Sequence, residues 1–212
     1  MSVKNNILHL QKHLADNVHL VAVSKTKPNE LIIEAYGAGQ RIFGENKVQE
    51  LVEKEESLPK DIEWHMIGHL QTNKVKYIAP FVSLIHAVDS KKLIKEINKR
   101  AKQNNRVIPC LLQVHIAQEE SKFGLDKDGV IEILKTDFPN VSIVGLMGMA
   151  TFTDNKNQVR KEFKYLKDSY DELKENQPNF SILSMGMSGD YSIAIEEGSN
   201  MVRIGSSIFG ER

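Results

Sequence analysis

Three groups of residues carry the chemistry open to this chain. Lys25 ends a nearly unbroken apolar run, V-H-L-V-A-V-S-K-T-K, from Val18 to Lys27. Such a run reads as a strand buried on both faces. A lysine at its carboxyl end lies where α/β proteins bind their ligands. The plain alternative is a lysine whose stem packs and whose ammonium reaches water. The second group lies in S-M-G-M-S-G-D (Ser184 to Asp190) and R-I-G-S-S-I-F-G (Arg203 to Gly210). Ser188, Gly189, Gly205, Ser206 and Ser207 combine hydroxyl donors with glycines that let a backbone approach an anion closely. Helix capping and chain reversal account for either segment alone. Together, after the last two strands of a barrel, they suit a phosphate. The third is Arg203, set between Val202 and Ile204 in an apolar strand, where an arginine needs an acceptor. A carboxylate such as Glu45 would serve structurally, and a heterocyclic nitrogen would serve functionally.

A strand-end lysine, a phosphate cradle and an arginine between them fit a phosphorylated aldehyde held as a Schiff base, of which pyridoxal 5′-phosphate (PLP) is the common example. Bringing a lysine from its usual pKa near ~10.4 to roughly 8 takes on the order of 3 kcal/mol of desolvation or nearby positive charge. An apolar barrel mouth beside Arg203 supplies both. A Schiff-base aldolase also uses lysine and phosphate, with no obvious need for the arginine.

The elements that would position these groups are read from periodicity. Val3, Ile7, Leu10 and Leu14 make an opening amphipathic helix. After the Lys25 strand, strands are expected at Arg41–Gly44, Glu63–Ile67, Phe81–Val88, Val107–His115, Val141–Gly145, Ile182–Met185 and Met201–Ile204. Helices are expected at Glu30–Tyr36, Asn46–Glu56, Gln71–Ile78, Lys91–Gln103, Lys127–Thr136, Asn157–Glu175 and Tyr191–Glu197. Strict alternation with right-handed crossovers favours a single-domain (β/α)8 barrel over residues 1–212, with an open doubly wound sheet as the alternative. The short stretch after the last strand leaves no room for a full eighth outer helix, a gap the opening helix can cover.

Composition narrows the function. With 28 basic and 28 acidic residues there is no global field for nucleic acid or an anionic membrane. Cys110 is the one cysteine, so disulfides are excluded and a reducing compartment is expected. No segment reads as a signal peptide or a membrane span, which points to a cytoplasmic protein. His65 and His69 have a spacing seen in metal sites, but Gly68 intervenes and no third ligand is evident. His65 reads as a pocket residue or a satisfied core histidine, His69 as loop, and His86 and His115 as strand-end packing. The lysines from Lys91 to Lys102 read as a solvated helix face, and Lys122 with Arg160 as a possible second anion site.

The chain resembles the pyridoxal-phosphate homeostasis proteins, whose single barrel is similar to the amino-terminal domain of alanine racemase. The motifs are V-A-V-S-K ending at Lys25, F-G-E-N-K-V-Q-E (Phe43 to Glu50), H-M-I-G-H-L-Q-T-N-K (His65 to Lys74), S-K-F-G (Ser121 to Gly124), G-L-M-G-M (Gly145 to Met149), and the Ser184 and Arg203 segments. The resemblance implies that Lys25 forms the internal aldimine, that Ser188, Gly205 and Ser206 hold the phosphate, that Arg203 faces the pyridine nitrogen, and that Asn46 and Met185 line the ring pocket. Arginine keeps its proton, so that nitrogen stays an unprotonated acceptor and the ring a weak electron sink. The resemblance also places the tyrosine base of the racemases in a second domain. The expectation is a monomeric PLP carrier acting in vitamin B6 homeostasis, with PLP-dependent apoenzymes as candidate recipients and no catalytic residues. A low-activity amino-acid racemase and a cofactor-sensing scaffold are the alternatives.

Overall fold

The computed structural model describes residues 2–118 and 123–211. Strand and helix alternate from β1 (His19–Val23) through α2 (Asn29–Gly37), β2 (Ile42–Glu45), α3 (Val48–Ser57), β3 (Glu63–Met66), α4 (Val75–Ile78), β4 (Leu84–Val88) and α5 (Lys91–Gln103). They continue as β5 (Ile108–Gln113), α6 (Lys127–Leu134), β6 (Val141–Met147), α7 (Lys156–Lys174), β7 (Ile182–Met187), α8 (Tyr191–Glu196) and β8 (Met201–Ile204). The eight strands form a closed barrel in chain order, all parallel, with β1 paired to β8 through Val21 opposite Arg203. This is the expected (β/α)8, TIM-type barrel.

Closure is favoured by the strands' apolar character on both faces. Outward residues such as Phe43, Met66, Ile85 and Val202 pack against the helices, and a smaller inner cluster contains Val21, Leu84, Leu111, Met147 and Met201. The opening helix α1 (Val3–His13) starts at Ser2, whose hydroxyl accepts the Asn5 N–H at 3.3 Å. It buries Val3, Ile7 and Leu10. The segment after β8 makes only one helical turn, α9 (Ser206–Phe209). α1 packs over it and over α2, with Asn6 Nδ2 donating to the Ile208 carbonyl at 2.8 Å.

Element boundaries move where turns or bulges intervene. β4 starts at Leu84 rather than Phe81, because the N–H groups of Phe81 and Val82 both turn back to the Ile78 carbonyl and pairing resumes only with Ser83 N to Trp64 O. β6 runs on to Met147 past Gly145, whose φ is 153°. A Cβ there would lie 1.7 Å from the Ile182 carbonyl oxygen, so only glycine permits this approach of β6 to β7. β7 likewise runs on to Met187. Among the described residues no helix is long and apolar enough to cross a membrane.

Candidate functional site

Lys25 lies two residues beyond β1, half-buried, in the turn that leads to α2. The turn is fixed on both sides of it. Ser24 N donates to the Gly44 carbonyl at 3.1 Å and Lys27 N to the Ser24 carbonyl at 3.0 Å, while Thr26 adopts a left-handed φ of 62°. Behind the turn, Lys54 on α3 donates to the Ser24 carbonyl at 2.8 Å, to Glu45 Oε1 at 2.8 Å and to Glu50 Oε1 at 2.7 Å. Glu45 also accepts from Ser24 Oγ at 2.5 Å, and burial raises its proton affinity against the opposing pull of Lys54 and Ser24. Glu45 is therefore not the acceptor for Arg203.

Arg203 is buried on β8 and points into the barrel, where Nη1 donates to Ser184 Oγ at 2.7 Å and Nη2 to the Gly148 carbonyl at 3.1 Å. Burial lowers its pKa to about 10, partly offset by the charge of Asp190. Ser184 Oγ also lies 3.2 Å from His86 Nδ1, and His86 Nε2 lies 3.1 Å from His65 Nδ1. His86 is thus not strand-end packing. It sits in the middle of β4, joining β3, β4, β7 and β8 through one polar chain inside the barrel. His65 is held there as a core histidine bonded to His86. Desolvation, with a smaller effect of His19, lowers its pKa to about 3, and burial followed by the neighbouring His65 and Arg203 lowers that of His86 well below its ordinary value.

The two serine–glycine loops meet at the mouth, where Gly205 N donates to Ser188 Oγ at 3.1 Å. Asp190 Oδ1 accepts from Met187 N at 2.6 Å, and α8 has no side-chain cap bond, so neither Ser188 nor Asp190 is used as a cap. A Cβ on Gly205 would sit 3.3 Å from the Val23 carbonyl oxygen, whereas one on Gly189 would meet nothing within 4 Å. Ser206 is exposed at the start of α9. Asn46 follows β2, half-buried, with Gly68 pressed against it so closely that a Cβ would lie 2.6 Å from the Asn46 carbonyl oxygen.

Lys25, Asn46, Ser188, Gly189, Gly205 and Ser206 therefore share the carboxyl-terminal face of the barrel, with Arg203 beneath them. Met185 does not join them through its side chain. It is fully buried and belongs to the outer core between sheet and helices, while its neighbour Ser184 faces inward. Sequence reasoning gives no role to Ser184, Lys54 or Glu50 and misplaces His86. Only the four-residue spacing of Glu50 and Lys54 on one helix face is a usable signal. Arg160 is engaged by Glu196 and Glu197, and Lys122, its partner in the expected second anion site, lies outside the described residues, as does Ser121. His69 pairs with Asp89 at 3.0 Å and stacks on Phe123, away from His65, and no group of three or more His, Cys, Asp or Glu side chains among the described residues could hold a metal.

The family described as "Alanine racemase, N-terminal domain" matches residues 1–212. A pyridoxal phosphate homeostasis protein of Aquifex aeolicus is 46% identical over 198 residues, covering 91% of this chain and 86% of the relative. The chain belongs to the pyridoxal phosphate homeostasis proteins, within the alanine racemase N-terminal-domain family. The human pyridoxal phosphate homeostasis protein is 43% identical, with 91% of this chain and 76% of the relative covered. PipY of Synechococcus elongatus, in its structure with PLP bound, superposes with a TM-score of 0.91 at 34% identity over 99% of this chain and all of its own. Alanine racemase of Bartonella henselae shares the fold, with a TM-score of 0.76 at 19% identity over 99% of this chain but 58% of that one. The homeostasis proteins are thus matched along most of their length, and the racemase over little more than half.

Proposed function

We propose that this protein binds PLP covalently through Lys25 and buffers or delivers it, taking part in vitamin B6 homeostasis rather than turning over a substrate. The observation that carries the reading is the convergence of Lys25, the tied Ser188–Gly205 loops and the buried Arg203 on one barrel mouth. The donor set fits the group. Arg203 can only donate, and its described bonds use two of the five guanidinium N–H groups, leaving donors for a ring nitrogen. Gly189 leaves open space beside Ser188, and Gly205 holds its backbone against Val23, so the loops offer N–H and hydroxyl donors to a phosphate without side chains in the way. When bound, PLP supplies an aldehyde carbon that a lysine amine attacks reversibly.

The protein's own residues restrict catalysis. Arg203 keeps its proton, so it stabilises an unprotonated ring nitrogen and does little to draw electrons into the ring. Tyr36 is bonded to Asp61, Tyr170 is packed on Phe180, Tyr77 and Tyr165 are exposed on outer helices, and Tyr191 lies on α8. The first four are thus committed to outer helices, whereas racemisation requires a second acid or base opposite Lys25; Tyr191 stands beside the phosphate loop. Ser188, Gly189, Gly205 and Ser206 hold the phosphate, Asn46 lines the pocket, His65 supports Arg203 through His86 and Ser184, and the working unit is a monomer that hands PLP to apoenzymes.

The test is an absorbance spectrum of the purified protein with PLP, before and after borohydride, beside Lys25→Ala. A band that borohydride removes while fixing the cofactor on Lys25 is expected, and the same band in Lys25→Ala would overturn the assignment. Incubation with amino acids in deuterium oxide should give no steady exchange at Cα. Exchange that disappears in Lys25→Ala would establish a racemase-like enzyme instead.

A further inference from the structure

The residues on either side of Lys25 are both held by one buried ion network. Glu45, wholly buried at the end of β2, takes the Ser24 hydroxyl and the Lys54 ammonium on the same oxygen, Oε1. Lys54, 5% exposed, also holds the Ser24 carbonyl. Its third partner, Glu50 Oε1, accepts the Thr26 N–H at 2.5 Å. Ser24 and Thr26 are thus tied to one ammonium, directly and through a carboxylate, with Lys25 between them. Thr26 needs the tie, because a left-handed non-glycine residue costs on the order of 1 kcal/mol or more.

The network is poorly built for stability alone. Glu45 Oε2 is buried with no hydrogen-bond partner among the described residues, and two carboxylates share one ammonium. A buried ion pair with an unsatisfied oxygen returns little net free energy, because desolvation offsets the attraction. The role left to such a pair is to fix a geometry, and here it spans the turn that carries Lys25.

We propose that Lys54 is a positioning residue for Lys25, setting, together with Glu45 and Glu50, the direction in which the Lys25 side chain leaves β1 toward the barrel mouth. The inference rests on Lys25 being the amine that takes PLP. Without the Lys54 ammonium the Ser24 carbonyl and Glu50 lose their common anchor, the turn relaxes from its left-handed Thr26, and the amine samples orientations that miss the aldehyde.

The experiment compares Lys54→Met, Glu50→Ala and Glu50→Gln with the unsubstituted protein. It reads stopped-flow capture of PLP, circular dichroism in the cofactor's absorption band, borohydride fixation mapped by mass spectrometry, and, without cofactor, amide hydrogen exchange of the peptide spanning the turn. Lys54→Met and Glu50→Ala should still fix PLP on Lys25 but capture it about 10-fold more slowly, with a weakened dichroic band and faster exchange in the turn. Glu50→Gln keeps an acceptor for Thr26 N–H and should stay near the unsubstituted rate. Glu50 is partly exposed, so its variants report even if Lys54→Met does not fold. Unchanged capture and dichroism in Glu50→Ala, even with lowered stability, would overturn the positioning role. Absence of any Lys25-fixed product in the unsubstituted protein would overturn the cofactor assignment and this role with it.

Discussion

Arg203 Nη1 and Ser184 Oγ are joined at 2.7 Å inside the barrel, and this bond anchors the polar chain behind it. Arginine only donates, so the Ser184 oxygen accepts from it, and the same hydroxyl meets His86 Nδ1 at 3.2 Å. His86 Nε2 in turn meets His65 Nδ1 at 3.1 Å, so the two neutral rings share one proton position between them. Four side chains from four strands are thereby tied to the one member that only donates.

Acid should weaken the barrel through this chain. Both histidines are neutral in the folded protein, with His65 lowered from 6.5 to about 3 and His86 lowered in the same direction. Below the unfolded value the unfolded chain binds more protons, so stability is fully present above about pH 6.5 and is lost as pH falls toward about 3. His65 contributes the pH dependence of one proton taken up on unfolding in that window, and His86 adds to it in the same direction. Urea midpoints measured across it should fall steeply, and His65→Asn should fall less steeply. Equal slopes would mean the pair does not titrate between the two states.

Removing the Ser184 hydroxyl leaves Arg203 and His86 each short of a buried partner. Ser184→Ala should lose about 1–3 kcal/mol in denaturant titration, although the residue touches no surface. A loss within experimental error would show that the chain is relayed by water instead.

Arg203→Asp reverses the charge facing the ring position. With the cofactor bound, the ring nitrogen should take up a proton and the absorbance band should shift, and stability should fall because a carboxylate is left buried inside the barrel. An unshifted band in a folded, loaded variant would remove Arg203 from the ring nitrogen.

Cys110 lies fully buried on β5, and burial raises its thiol pKa further. Iodoacetamide should label it only through opening of the barrel, at a rate that rises with denaturant in step with unfolding. Rapid labelling of the native protein would place β5 in a locally open state.

The barrel is legible in the sequence because eight apolar runs alternate with amphipathic stretches; that pattern implies strand count and parallel direction, while the closed order, against an open doubly wound sheet, is settled by the pairing of β1 with β8. Lys25 and the two glycine–serine loops are legible because polar and glycine residues stand out at strand ends. Which way a side chain faces is harder. Met185 stands one residue after the inward-facing Ser184 and so falls on the outer face by ordinary alternation; its expected place in the ring pocket comes from the resemblance and not from the strand period. Glu45 reads as a partner for Arg203 because both are charged and strand-borne. The structure sends one outward to α3 and the other inward, a distinction that composition does not encode. The His65–His86 contact joins two strands whose register is set by pairing rather than by local sequence.

The seam between β1 and β8 brings together residues from the two ends of the chain, with His19 opposite Met201 and Val21 opposite Arg203. Closing so long a loop is entropically costly and slow compared with forming each neighbouring βα unit. Lys25, just past one side of that seam, and Gly205, just past the other, become neighbours only when it shuts. During synthesis the barrel can therefore assemble strand by strand without a site, and the arrival of β8 creates it at once. Cofactor uptake would then clock the final step of folding, so the time course of PLP capture by refolding protein should lag the recovery of helical signal by the time the last strand takes to dock.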